Sequence, residues 1–449
     1  MAGHFTPQPC TYSLMLDLKL RRMRSALSNR HAQLYRSSFA LILTTVLNGL
    51  LGLVFWVAAA HLYSAKVVGL GAGGVSALQL VSTVGWVGLQ FTLLRYIPVA
   101  ASRRRLLLLS VYIVGAGAAS IAAFAFVLWG TRFLGVPFIS HQVLGSAVFC
   151  LSSAMWIVFS LQDAALIAAR RAIWVPVENA GYGVLKLLML CGLSFLAGPW
   201  TILGVWVGAT VVMVIAVNTY LFSSGLGRPS DEPKNLPSKL MLARFSLGQT
   251  GAAVMAWMPD FLVPLIVLRI LGQSANAYYY SAWTIGFSMR LLSINLSSVL
   301  VTESAYERGS PSALMRSSAR LAIVVLSPVV AIGLLFPERI LGIFGSDYRA
   351  GAMLLRYFAV SLVPFTIAGM VIAMDRIEGR YRVALLITGT GTAVTLVLDI
   401  LLLRSRGISG AGIGWLAGQT AAAAVAVVSA RREIFALSFG SRSRYTKRH

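Results

Sequence analysis

The sequence predicts an all-α polytopic membrane protein, with about twelve helices crossing the bilayer. Three observations carry this expectation. Apolar residues make up 57% of the 449 positions and charged residues only 12%, which is roughly half the charged fraction of a soluble chain. The apolar residues form long runs rather than the alternating strands of a barrel. The basic residues recur in short clusters between those runs, as in proteins whose orientation they set.

The first span, 37–62, holds no charge, and Asn48 is its most polar interior residue. The second, 73–97, closes on Arg95, and the third, 106–128, follows the cluster Arg103, Arg104, Arg105. The fourth, 142–168, carries Asp163. After Arg170 and Arg171 the fifth, 174–197, opens with Pro176 and Glu178 and carries Lys186; Glu178 reads as a favourable charge at a helix N-terminus. The sixth is 201–222. A break rich in Pro, Ser and charge, 223–240, then divides the runs six and six. Beyond it, 241–268 carries Asp260 with Arg244 as an anchor at its start, and 276–301 carries Arg290. The run 320–336 is short and contains Pro328; 351–374 carries Arg356, 383–403 carries Asp399, and 409–430 is uncharged.

Alternate connections hold the basic residues. With the N-terminus inside, roughly 26 Lys and Arg lie on the cytoplasmic side against about 7 outside. Both termini are therefore expected in the cytoplasm, with the chain in the cytoplasmic membrane. Residues 1–36 read as a basic N-tail without the features of a cleavable signal, 37–222 as a first lobe, 223–240 as a cytoplasmic linker, 241–430 as a second lobe, and 431–449 as a basic C-tail. The halves echo each other weakly, ILGVWVGAT (202–210) in the sixth run against AGIGWLAGQT (411–420) in the twelfth. Two parallel six-helix repeats are a common transporter plan.

Several function classes lose support. The net charge of +24 is scattered among loops, so no nucleic-acid surface is expected. Cys10, Cys150 and Cys191 lack metal-ligand spacing, and the five histidines form no pair at helical spacing, so no metal and no cofactor are expected. GLGAGG (69–74) is preceded by no strand and followed by no Lys-Ser/Thr, so it reads as a membrane turn with close helix packing rather than a phosphate cradle. The connections leave no sizeable soluble domain and no paired carboxylates for catalysis; no catalytic residue is expected.

Four stretches carry a resemblance: VVGLGAGGVSALQLVSTVGWVGLQFTLLRYIP (67–98), FSLGQTGAAVMAWMPDFLVPLIVLRILGQSANAYYYSAW (245–283), LLFPERILGIFGSDYRAGAMLLRYFAV (334–360) and RSRGISGAGIGWLAGQ (404–419). In order and spacing the chain resembles Wzx-type flippases, the polysaccharide-export branch of the multidrug/oligosaccharidyl-lipid/polysaccharide (MOP) superfamily. That resemblance implies two lobes around a central cavity with alternating access. It also implies a polyprenyl-diphosphate-linked oligosaccharide as cargo and other polysaccharide-assembly membrane proteins as neighbours.

A charge at mid-bilayer costs about 2.5–3.5 kcal/mol on insertion scales, so each needs a reason. Arg290, Lys186 and Arg95 are the candidates for a basic cavity that holds a diphosphate, with Trp283 and Tyr278–Tyr280 available to stack on sugars. Asp260 and Asp163 either couple transport to an ion or proton or pair with these cations, Asp163 with Lys186 or Arg95 and Asp260 with Arg290. Arg356 and Asp399 lie near span ends and are expected to snorkel. Two alternatives stay open: a cation-coupled small-molecule exporter of the same superfamily, and a membrane-embedded polymerase or ligase.

Overall fold

The computed structural model describes residues 43–139, 143–196, 198–226, 239–306, 311–377 and 381–439. The N-tail 1–36, most of the break 223–240 and the end of the C-tail lie outside them. Twelve long helices follow in order: α1 Leu43–Leu62, α2 Ala65–Tyr96, α3 Arg104–Ala125, α4 Val143–Ala168, α5 Trp174–Gly192, α6 Thr201–Tyr220, α7 Lys239–Leu271, α8 Gln273–Tyr306, α9 Pro311–Leu335, α10 Ala352–Ile377, α11 Tyr381–Arg406 and α12 Ile408–Phe439. No strand occurs among the described residues. Ten of the twelve are long and apolar enough to cross a membrane by themselves. The other two, α5 and α8, are those that carry Glu178, Asn179 and Lys186, and Asn276 and Arg290. All five of these side chains are buried, so the polarity of α5 and α8 faces protein rather than lipid. The outward faces are apolar: Ile113, Ile121 and Phe124 on α3, Leu188 on α5, and Ile323 and Val324 on α9 are exposed.

Helices α1–α6 form one lobe and α7–α12 the other. In the first, α4 packs against α2 and α3, and α5 against α6; in the second, α12 packs against α10 and α11. The seam between lobes is made chiefly by α2 lying along α7 and α8. Helix α9 starts at Pro311, well before the expected 320, and α12 continues past 430 to Phe439.

The glycine-rich stretch 69–74 corrects one expectation: it is no turn. It lies inside α2, which begins at Ala65. Its glycines serve close packing. A Cβ on Gly69 would run into the Gln273 carbonyl group, whose carbon is 2.7 Å away. One on Gly73 would meet Leu268 Cδ2 at 2.5 Å. Both contacts cross the seam, as does the hydrogen bond that Asn276 Nδ2 donates to the Gly69 carbonyl at 2.8 Å. The lobes are thus clamped together at the end holding the α1–α2 and α7–α8 connections. Elsewhere, a Cβ on Gly52 of α1 or Gly251 of α7 would meet nothing within 4 Å.

Helix α7 contains Pro259 and Pro264. Proline lacks an N–H and so frees the carbonyl four residues earlier, which lipid cannot satisfy. The carbonyl freed by Pro259 is that of Met255, and Thr392 Oγ1 of α11 donates to it at 2.7 Å. Pro264 likewise frees the carbonyl of Asp260. The α7 backbone is therefore interrupted where its buried acid sits.

Candidate functional site

Two buried cations occupy the two lobes, and each rests on aromatic rings. Lys186 lies one helical turn beyond Tyr182 on α5, so the two share a face. Its Nζ is 4.9 Å from the Tyr182 ring centroid, 3.8 Å from that of Trp206 on α6 and 4.5 Å from that of Phe55 on α1. Lys186 is only 4% exposed and forms no ion pair with a described residue. Desolvated cation–π contacts contribute on the order of 2 kcal/mol, which holds the ammonium in place without cancelling its charge.

Arg290 on α8 is held differently. Its Nη1 donates to Asp260 Oδ2 at 3.3 Å, and its Nη2 donates to Oδ1. Trp283 Nε1, two turns earlier on α8, donates to the same Oδ1 at 3.1 Å. Both oxygens of the Asp260 carboxylate are therefore occupied. The guanidinium also lies over Trp415 of α12 at 4.4 Å, Phe287 at 5.2 Å and Phe365 of α10 at 5.8 Å. Of the two expectations for Asp260, pairing with Arg290 is the one observed. Trp283→Phe keeps the ring and deletes one hydrogen bond to a charged acceptor. It is expected to lower stability by about 1.5–3 kcal/mol, measured by denaturant unfolding in detergent.

The centres are joined across the seam. Trp206 lies 6.2 Å from Trp56, Trp56 lies 4.6 Å from Tyr280 of α8, and Tyr280 lies 4.8 Å from Trp283. A continuous aromatic file thus runs from Lys186 to the Asp260–Arg290 pair. Trp283 and Tyr280, expected to stack on sugar, are instead buried members of this file.

A third polar group lies along α5. Asn48 Nδ2 of α1 donates to Asn179 Oδ1 at 3.0 Å, and Asn179 Nδ2 donates to Asp163 Oδ1 at 2.9 Å. Asp163 therefore pairs with Asn179, and neither Lys186 nor Arg95 neutralises it. The seven residues from Asn179 to Lys186 place that lysine about 10 Å further along the helix. Glu178 is in the second turn of α5, not the first, and is buried with neither carboxylate oxygen hydrogen-bonded to a described group. It is no N-terminal charge but a second acid beside Asp163. Arg95 lies exposed in the last turn of α2, 5.5 Å from the Tyr96 ring, and belongs to neither aromatic cluster. Arg356 sits as expected, partly exposed, with Nη2 3.7 Å from Glu338 Oε1. Asp399 does not snorkel: it is 0% exposed.

Phe55, Trp56, Trp206, Trp415 and Asn179 were not singled out by sequence. One signal was present. The echo between ILGVWVGAT and AGIGWLAGQT aligns Trp206 with Trp415, and these are the rings that cover Lys186 and Arg290.

Neither a protein-family model nor a curated protein matches the chain. Solved structures do. An inward-facing multidrug-resistance MATE transporter of the MOP superfamily superimposes with a TM-score of 0.68 at 16% identity, over 88% of this chain and 96% of that one. The chain has the MATE fold. An outward-facing MATE transporter scores lower, 0.57 at 15% identity over 90% of this chain and 96% of that one. A MOP-superfamily transporter from Pyrococcus furiosus, described by a binding pocket of reverse polarity, scores 0.56 at 16% identity with the same coverages.

Proposed function

We propose that the chain is an alternating-access transporter that moves a polyprenyl-diphosphate-linked oligosaccharide from the cytoplasmic to the outer leaflet. The observation that carries this reading is Lys186, a buried basic side chain with no ion-pair partner among the described residues. Trp206, on which it rests, and Trp56 lead from it to Tyr280 of the second lobe. An ammonium in a low-dielectric site is costly alone, and an anionic cargo supplies the missing charge. Arg290 is committed to Asp260 in this state, so Lys186 is the cation available to a diphosphate. Aromatic faces along the seam offer sugar-stacking surface once the lobes part. The lobes, 37–222 and 241–430, rock about the seam, and both termini lie in the cytoplasm, as the distribution of basic residues requires.

A cation-coupled small-molecule exporter is the second reading. Asp163, Glu178, Asn48 and Asn179 favour it, because their grouped oxygens suit a proton or small cation. The Pyrococcus furiosus transporter, for which reverse pocket polarity suggests a different function, supports the view that pocket charge decides cargo within this fold.

Lys186→Gln tests the role of this lysine in the first reading. Removing a charged hydrogen-bond donor worth about 1.5–3 kcal/mol is expected to slow flipping of a fluorescent polyprenyl-diphosphate oligosaccharide in proteoliposomes by roughly 10–100-fold, with Lys186→Arg retaining part of it. Unchanged flipping by a folded Lys186→Gln protein removes the proposed role.

A further inference from the structure

Helices α11 and α12 pack unusually closely, and an acid sits in their contact. Gly410, Gly414 and Gly418 of α12 recur every four residues and so form one face. A Cβ on Gly410 would lie 2.6 Å from the Leu402 carbonyl oxygen, and one on Gly418 would lie 2.6 Å from that of Gly391. Between them, a Cβ on Gly414 would collide with the Asp399 carboxylate, whose Cγ is 3.1 Å away. Asp399 is 0% exposed, and neither of its oxygens has a hydrogen-bond partner among the described residues. Thr395, one turn away, is equally buried and its hydroxyl equally unpartnered.

An ionised carboxylate without partner or water is strongly disfavoured in such a place. A metal ion needs several oxygen ligands and the space to hold them. The α12 backbone occupies the position facing Asp399, and no group of three His, Cys, Asp or Glu able to hold a metal occurs among the described residues. The ligand that fits is a proton. We propose that Asp399 is a proton-binding carboxyl of the second lobe, loaded in this state and unloaded to water or to a cationic partner when α11 and α12 shift during transport. This rests on the alternating-access reading, but not on the cargo.

The site adjoins the buried ion pair. Trp415, which follows Gly414, covers Arg290. The titratable and charged groups on neighbouring elements are Tyr279 and Arg290 on α8, Asp260 on α7, and Tyr357, Arg356 and Asp375 on α10. Arg404 and Arg406 end α11 itself, and the described part of α12 facing Asp399 carries no charge. Of these cations, Arg290 already pairs with Asp260, Arg356 faces Glu338, and Arg404 and Arg406 are exposed. Asp375 lies near the opposite end of α10.

Infrared spectroscopy of the full chain in detergent, with carbon-13-labelled aspartate, tests the proposal without any cargo. At neutral pH the wild type is expected to show the C=O absorption of a protonated aspartate. Asp399→Asn is expected to lose one carboxyl's share of it, while Asp163→Asn leaves that share in place. A folded Asp399→Asn protein with the wild-type aspartate band overturns the proposal. Should that variant not fold, wild-type protein without any protonated-aspartate band overturns it equally. Loss of the flippase reading would leave both results unchanged.

Discussion

Arg290→Ala or Asp260→Asn alone is expected to lower stability by about 3–5 kcal/mol, since each leaves one buried charge uncompensated. The pair is nearly sealed from solvent, Arg290 at 7% exposure and Asp260 at 3%. Asp260 also accepts from Trp283, so Arg290→Ala strands a carboxylate that keeps only one neutral donor. Asp260→Asn strands the guanidinium over Trp415, whose ring offers attraction but no counter-charge. A double variant such as Asp260→Leu with Arg290→Met is expected to recover most of the loss, because apolar replacements of a buried pair are often neutral or better. Denaturant unfolding in detergent distinguishes the cases. A stable single variant would mean that the pair does not hold α7 to α8. Loss of flipping in Arg290→Ala would report unfolding before it reported cargo contact, so Lys186→Gln is the cleaner probe of the cavity.

Gly69→Val should shift the conformational balance rather than unfold the chain. Its Cβ would meet backbone atoms of α8, the Gln273 carbonyl carbon at 2.7 Å and the Ala277 nitrogen at 3.2 Å, so no side-chain rotation relieves it. Relief requires α2 and α8 to separate at this end of the seam, which breaks the Asn276 hydrogen bond to Gly69. That separation is the motion that closure at this end must reverse during alternating access. Spin labels at Ser64 and Ser346, both exposed on opposite lobes beside this end, read it directly. The variant is expected to populate longer distances than the wild type. An unchanged distribution would show that the glycine contact does not hold the lobes together.

Much of this fold was legible because the bilayer leaves few choices. Apart from α1, whose beginning lies outside the described residues, ten of the other eleven helices start within about eight residues of the expected spans, since a long, largely apolar run has few other stable forms in lipid; α9, with its Pro328, starts earlier. The Asp260–Arg290 pair was also legible, as opposite charges on consecutive spans. Facing was not. Asp399 lies near the end of its span, and depth alone predicts snorkelling; the glycine face of α12 that covers it is visible only once α11 and α12 are packed. Glu178 was misplaced for the same reason, because its burial depends on the neighbours of α5. The rings around Lys186 come from α1, α5 and α6, and only helix rotation brings Phe55, Tyr182 and Trp206 together. The glycines at 69–74 were legible in part: the close helix packing expected of them is present, but the turn is the interior of α2.

Cargo choice tests the central claim most directly. Purified wild-type protein in liposomes is supplied in parallel with a fluorescent polyprenyl-diphosphate oligosaccharide and with fluorescent organic cations, and transfer of each is measured. The account predicts protein-dependent flipping of the lipid-linked anion and no transport of the cations. Cation transport driven by a proton or sodium gradient, with no movement of the lipid-linked anion, would contradict it and establish the exporter reading.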